Sequence, residues 1–596
     1  MASIPTWQES AARLVAVAAG REPADTVVRG GRVVLVQTRE ILAWEVAIAA
    51  GRFAYVGPDA SRCVGPDTEV IDAGGRYAIP GLIDAHMHVE SGMLTPAEFT
   101  RAVLPHGTTS MFVDPHEIAN VLGLRGVRMM HDEALLQPAH MFVQMPSCAP
   151  SAPGLETTGA EIGPEDVAEA MGWPNVVGLG EMMNFPGVIG ADPKMLAEIA
   201  ATMAAGKTVG GHYASPDLGP FHAYAAGGPA DDHEGTREED AVARARQGMA
   251  VMMRLGSAWH DVAAQITAVT ERGLDPRLFV LCTDDCHAGT LTRDGHMDRV
   301  LRHAIACGCD PLVALQMCTI NAAAHFGMAR EVGSIAPGRR ADLVLTESLT
   351  DVRAARVIAA GVTAARDGTC LADCPHLDWP ADVRATVRLG RTLAADDFAV
   401  PAPEGAARVT ARVIGVVENQ APTRALTAEL PVRDGRVEPE GEVARIALVE
   451  RHRGTGGVTN GFVAGFGYGP GMAMASTVAH DSHHMIVVGT DRAMMAAAAN
   501  RLGETGGGVT LWREGAEAAF VPLPIAGLMS DRPAGEVAAA ADALGAAMRA
   551  AGCTLNNAYM QHSLLALVVI PELRISDLGL IDVSRFERTD LILDAR

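Results

Sequence analysis

Gly81-Leu-Ile-Asp-Ala-His-Met-His-Val-Glu90 decides the fold. The apolar run from Tyr77 to Ile83 that leads into it reads as a buried strand, and His86 and His88 follow at its end. Side chains at i and i+2 leave one face of a strand, so both imidazoles can reach a single cation. A His-x-His pair by itself serves equally well as a hydrogen-bonded strand end. The candidates downstream favour the cation. Glu181, His212, His233 and Asp284 each follow a strand-like run or sit where one is expected, and with His86 and His88 they make six donors. Six such donors are of the kind that holds two divalent ions.

From Ala78 to about Ala329, strand-like runs alternate with helical ones, the pattern of a parallel α/β fold. Eight candidate strands end near His86, Asp114, Pro146, Glu181, His212, His233, Arg254 and Asp284. Amphipathic stretches such as 123–137, 192–206 and 236–248 lie between them. The sixth run, "GGPADDHEG", is polar and rests on position more than propensity. Eight βα units over 80–329 describe a (β/α)8 TIM-like barrel, whose reacting groups gather at the C-terminal strand ends.

Both flanks of this barrel carry short β-like runs with Gly punctuation. Those in 24–79 look incomplete alone, and "GSIAPGRRADLVL" with "ARVIAAGVTAARDGTC" in 330–399 share their alternation. A discontinuous small β-sandwich domain, 24–79 with 330–399, is the expectation. "VPAPEGAA" at 400–407 reads as a linker into a third unit, an α+β domain over 400–596 with Ala-rich helices at 491–508 and 535–552.

A chain of 596 residues is too long for one core and predicts two to four domains. Hydrophobic content of 48% with 20% charged residues describes a well-packed globular protein. The net charge of −23, from 48 Lys+Arg against 71 Asp+Glu, argues against a nucleic-acid partner and favours a small molecule. Among ten cysteines, Cys282-x-x-x-Cys286 and Cys307-x-Cys309 have the look of zinc pairs, but buried or loop thiols explain them as well. A reducing cytoplasm fits this usage. The short apolar run Leu14 to Ala19 has no basic segment before it, and no stretch approaches the roughly 20 apolar residues of a membrane span.

The chemistry follows from the donors. His86, His88 and Asp284 would hold one cation, His212 and His233 the second, with Glu181 bridging. Two ions about 3.5–4 Å apart share a metal-activated hydroxide whose parent water has lost several pKa units. Asp284 then carries the proton from nucleophile to leaving group, which makes Asp284 and Glu181 the catalytic pair. Asp285 adjoins Asp284, and one of the two caps the segment that follows. Glu181, flanked by apolar residues, needs a cation or donor to offset its desolvation. For substrate contacts, His116 and Glu117 stand just beyond the second strand, where they face the substrate, guard the metals or cap a loop. Glu234 adjoins His233, although strand alternation turns it away. The cluster His480, Asp481, His483 and His484 binds a further ion, covers the pocket or forms a satisfied structural network.

"PGLIDAHMHVE", His212, His233, Asp284 and the closing "GSIAPGRRADLVL" together resemble the amidohydrolase superfamily. Many binuclear members of that superfamily place a carboxylated lysine at strand four, where this chain has Glu181. With that departure, "TTSMFVDPHEIANVLG", "GLGEMMNFPGV", "DDHEGT", "AHDSHHMIVVGT" and "PELRISDLGLIDV" extend a resemblance to the bacterial adenine deaminases over nearly the whole chain. His484 stands where that family leads one to expect Asn. The resemblance implies hydrolytic deamination of adenine to hypoxanthine and ammonia, a step of purine salvage. It also implies two divalent ions, Mn or Fe with Zn as a further candidate, and a homo-oligomer of two or more chains. A cyclic amidase of the dihydropyrimidinase or hydantoinase type would use the same donors. A non-catalytic barrel would show lost ligands, and none is missing here.

Overall fold

The computed structural model describes residues 5–257 and 259–596. Its first large unit is built on β1 (Leu82–Met87), β2 (Thr108–Val113), β3 (His140–Met145), β4 (Val176–Met182), β5 (Thr208–Gly211), β6 (Asp231–Asp232), β7 (Ala250–Arg254) and β8 (Phe279–Cys282). These strands are buried almost throughout, which explains why they read as continuous apolar runs instead of alternating ones. β1 to β5 form one parallel sheet in sequential order, and β6 to β8 form another.

Two seams close these sheets into a barrel. Between β8 and β1, Asp284 N donates to His86 O at 3.0 Å and Thr283 Oγ1 to Asp84 Oδ2 at 2.6 Å. Between β5 and β6, Ala230 N donates to Val209 O at 2.8 Å and Gly211 N to Asp231 Oδ1 at 2.9 Å. The sixth strand is only two residues long, and its side chains supply bonds where the ladder is missing. Asp231 also contacts His325 Nε2 at 2.6 Å, while Asp232 accepts from Tyr213 N at 2.6 Å and from Arg244 Nε at 2.8 Å. The polar run that is poor as a strand by propensity is therefore held by buried carboxylates.

The two flanks meet as the sequence suggests. Leu343–Thr346 pairs antiparallel with Tyr77–Pro80, placing both flanks in one seven-stranded sheet. A four-stranded sheet packs on it over Val28, Val46, Phe53, Ile71, Leu343 and Ile358. A helix at Trp7–Ala18, which the sequence reading did not assign, starts at a Thr6/Glu9 capping box and buries Leu14 and Val17 in a neighbouring cluster.

Beyond residue 400 lies an eleven-stranded sheet with helices at Arg492–Thr505 and Ala534–Ala550. Val400–Pro401 pairs with Arg436–Val437, so the stretch read as a linker already begins a strand. This region packs on the C-terminal end of the barrel. Ser530 N donates to Met93 O at 2.9 Å and Ala534 N to Glu98 Oε2 at 2.8 Å. Among the described residues, no helix is long and apolar enough to cross a membrane.

Candidate metal centre

β1 delivers two imidazoles to the barrel axis. Nδ1 of His88 is tied to Asp114 O at 2.9 Å, which turns its Nε2 inward, 3.2 Å from Asp284 Oδ1 and 3.4 Å from Glu181 Oε1. His86 Nε2 lies 3.9 Å from Asp284 Oδ1, and its ring stacks on that of His233 at 4.1 Å. From the end of β4, Glu181 reaches the middle of the group. His233 Nε2 is 3.0 Å from its Oε2, His212 Nδ1 contacts the same oxygen, and His116 Nδ1 is 3.1 Å from Oε1. None of His86, His88, Glu181, His212, His233 and Asp284 is more than 5% exposed. All six side chains share one cluster at the strand ends.

The grouping is more continuous than two separate sets. His86 stands with His88 and Glu181 and also with His233 and Asp284, while His212 and His233 share Glu181. Asp284 and Asp285 part company here. Asp284 faces the imidazoles with its backbone at φ 60°, a left-handed conformation that Asp tolerates. Asp285 turns aside to Ser91 Oγ and to Trp259 Nε1 at 3.4 Å.

The electrostatics describe a site that demands positive charge. Burial pushes the Glu181 carboxyl up, but His212, His233 and His116 outweigh it and hold the group well below the usual carboxylate range. Asp284 is likewise lowered against its burial by His88, Arg254 and His233. Burial pushes the imidazoles down, yet Glu181, Asp284 and Glu234 raise His233 to about 9, and Glu117 leads the carboxylates that raise His88. Meanwhile His86 Nε2, His212 Nε2 and Glu117 Oε2 are buried without a hydrogen-bond partner. Unsatisfied buried polar atoms are costly, and a divalent cation satisfies several at once. Imidazole and carboxylate donors suit Mn, Fe or Zn, so this set fits such ions.

Around the centre, Glu234, a candidate substrate contact, differs from the sequence reading in its direction. The strand ends at Asp232, alternation no longer applies, and Glu234 points inward to Arg254 Nη1, with Oε1 3.5 Å from His233 Nε2. Arg254, read only as a strand end, joins Glu234, Asp261 and Asp284. A buried arginine closing the run "AVMMR" carries the same signal as Glu181, a charge whose burial requires a partner. His116 and Glu117 open the helix His116–Ala134 beside the centre. Asp481, from the C-terminal region, reaches His116 Nε2 at 3.4 Å.

The pocket over the centre is lined by Trp259 and Asp285 and by Ala421, Leu564, Leu567 and Ile570 of the C-terminal region. Outward it shares Glu234, Arg254 and Trp259 with a cavity of about 720 Å³.

Comparison with known proteins agrees with both halves of this architecture. Residues 77–393 match the amidohydrolase family, and 420–587 match the adenine deaminase C-terminal domain. The protein named adenine deaminase 1 of Jannaschia sp. (strain CCS1) is 73% identical over 590 residues, covering 99% of each chain. The adenine deaminase of Ruegeria pomeroyi is 72% identical over 596 residues, again with 99% of each chain covered. That of Ruegeria sp. (strain TM1040) is 71% identical over 592 residues, covering 99% of this chain and 98% of its own. With the family matched over more than half its length and these relatives matched from end to end, the chain belongs to the amidohydrolase family, among its adenine deaminases.

Proposed function

We propose that this chain hydrolyses adenine to hypoxanthine and ammonia at the centre on the barrel axis. The observation that carries the reading is the convergence on Glu181, one buried carboxylate contacted by His88, His116, His212 and His233. His86, His88, Glu181, His212, His233 and Asp284 would hold two divalent ions, with Mn or Fe preferred and Zn compatible. Such ions supply Lewis acidity and lower the pKa of water toward neutrality.

The chain's own groups do the rest. Asp284 receives the proton of the attacking water at Oδ1, the oxygen that faces His88, and passes it to the departing C6 nitrogen. Its other oxygen is held by Arg254 Nη1 at 3.0 Å, which fixes the direction of that transfer. Glu234 and His116 line the pocket over the centre and would meet a purine there, with Glu117 beside them, 3.9 Å from His88 Nδ1. Leu564, Leu567 and Ile570 exclude bulk water above. On this reading 80–329 carries the chemistry, 24–79 with 330–399 braces the barrel, and 400–596 closes its mouth.

We place the enzyme in the cytoplasm as a purine-salvage hydrolase, since its cysteines stand as free thiols and the charge balance favours a small-molecule partner. Assembly into dimers or larger homo-oligomers belongs to the same proposal.

The test is direct. Protein prepared with Mn²⁺ and given adenine should release ammonia in step with the ultraviolet change to hypoxanthine, and a chelator should stop both. Turnover of dihydropyrimidines or hydantoins with none of adenine would overturn the reading in favour of a cyclic amidase.

A further inference from the structure

The loop between the strands Met472–Ser476 and Met485–Gly489 carries His480, Asp481, His483 and His484, all buried and unused by the chemistry above. Its backbone is pinned from its own domain. Arg451, itself fully buried, donates to the carbonyls of His483, Thr477 and Ala526. His452 Nε2 lies 2.8 Å from Ser482 O, and His480 N donates to Ser563 O at 3.0 Å. A loop held at this many points presents its side chains in fixed positions.

One of those side chains reaches the barrel axis through an intermediary. Asp481 Oδ1 lies 3.4 Å from His116 Nε2, and the other nitrogen of that ring, Nδ1, lies 3.1 Å from Glu181 Oε1. His480 Nδ1 flanks the pair, 3.7 Å from Asp481 Oδ1 and 3.9 Å from Glu117 Oε1. Among the imidazoles contacting Glu181, His116 is the one outside the proposed ligand set. A carboxylate that must offer one oxygen to each of two ions needs its plane fixed. Oε2 is held by His212 and His233, leaving Oε1 to His88 and His116. Both contacts of His116 are ion-pair contacts, since neither ring nitrogen makes a hydrogen bond, so the Asp481 carboxylate acts on the ring through charge, holding it between itself and Glu181.

We infer that Asp481 is a positioning residue for the metal centre, fixing Glu181 through His116, so that the C-terminal domain completes the active site as well as covering it. This rests on the reading of Glu181 as the shared metal ligand.

The experiment uses the full-length chain loaded with Mn²⁺ and compares Asp481→Asn, Asp481→Glu, His116→Gln and the double variant Asp481→Asn/His116→Gln. Mn²⁺ affinity is read by competition with a chelator, alongside kcat, KM for adenine and the unfolding midpoint. Asp481→Asn keeps the side-chain shape and should weaken Mn²⁺ binding and lower kcat by about 10–100-fold. KM should stay within about twofold. Asp481→Glu should recover part of the loss, and Asp481→Asn should add nothing on top of His116→Gln.

Unchanged Mn²⁺ affinity and kcat would overturn the inference, as would effects that add independently. A rise in KM alone would make Asp481 a substrate contact instead. A third ion per chain, lost in Asp481→Asn, would make it a ligand. Should Asp481→Asn fail to fold, the His116→Gln variant with and without Asp481→Glu tests the same coupling. Glu181→Gln is the control for the underlying reading: if it leaves Mn²⁺ affinity intact, the assignment of the centre fails first. If adenine proves not to be the substrate, the affinity measurements still report on the relay.

Discussion

Arg254 Nη1 sits 3.0 Å from Asp284 Oδ2, and the same guanidinium joins Glu234 and, through Nε at 2.9 Å, Asp261. One buried cation at the end of β7 thus contacts three carboxylates from three different segments. The barrel's last strands and the loop after β6 are tied together by charge where ladder hydrogen bonds are few.

Replacing Arg254 with Met leaves those carboxylates close together without a counter-charge. Loss of one partner from a buried pair costs about 3–5 kcal/mol, so Arg254→Met should lower stability in denaturant titrations by that order. Asp284 also loses the contact that aims it, and kcat should fall by roughly 10²-fold. A variant with wild-type kcat would detach Asp284's orientation from Arg254.

Glu181 is predicted to couple metal content to rate. In Glu181→Gln the bridging charge is gone while the shape remains, so bound metal and kcat should fall together, each by about tenfold or more. Removing metal from the wild-type chain by chelation should abolish turnover, and Mn²⁺ should restore it. Bound metal should also raise the unfolding free energy, by about 4 kcal/mol when free ion exceeds its Kd a thousandfold. Full metal content with normal turnover in Glu181→Gln would take this residue out of the mechanism.

Glu234 is predicted to act on substrate more than on metal. Its carboxylate is directed into the pocket by Arg254, so Glu234→Gln keeps the packing and removes the charge. We expect kcat/KM for adenine to drop by about 10–100-fold with metal content unchanged. Elemental analysis beside steady-state kinetics separates this from a ligand role, and a parallel loss of metal would refute it.

Much of the candidate site is legible in the sequence because most of its donors end apolar runs, His233 excepted. His86, His88, Glu181 and Asp284 are polar residues at places where burial makes polarity costly, and that contrast is visible in one dimension. β6 was harder, since Asp231 and Asp232 hold their neighbours by side-chain bonds that no periodicity reports. The direction of Glu234, a candidate substrate contact, is not legible because alternation presumes a strand, and the strand stops one residue before His233. Asp481 stands out in the sequence within the His480–His484 cluster, but its contact with His116 is not legible there, since it joins residues 365 positions apart across two domains. The helix Trp7–Ala18 hid behind a short apolar run, although Thr6 and Glu9 spell out its capping box.

The C-terminal domain offers a stability test away from the metals. His562 lies on the helix Ala558–Ser563, fully buried, with neither ring nitrogen hydrogen-bonded. Burial pushes its pKa down to about 3. The unfolded chain, with an ordinary imidazole near 6.5, therefore binds a proton that the folded chain refuses between about pH 6.5 and 3. By linkage, stability is intact above pH 6.5 and is lost as pH falls through that window, reaching the full penalty below about pH 3. His562→Met keeps an adaptable apolar side chain in the cavity and removes the titration. Urea midpoints of the two proteins should lie close together at pH 8. At pH 5 the variant should be the more stable by about 2 kcal/mol relative to that baseline. Parallel pH profiles would mean that His562 accepts its proton in the folded state, so that the helix or its surroundings relax to admit water.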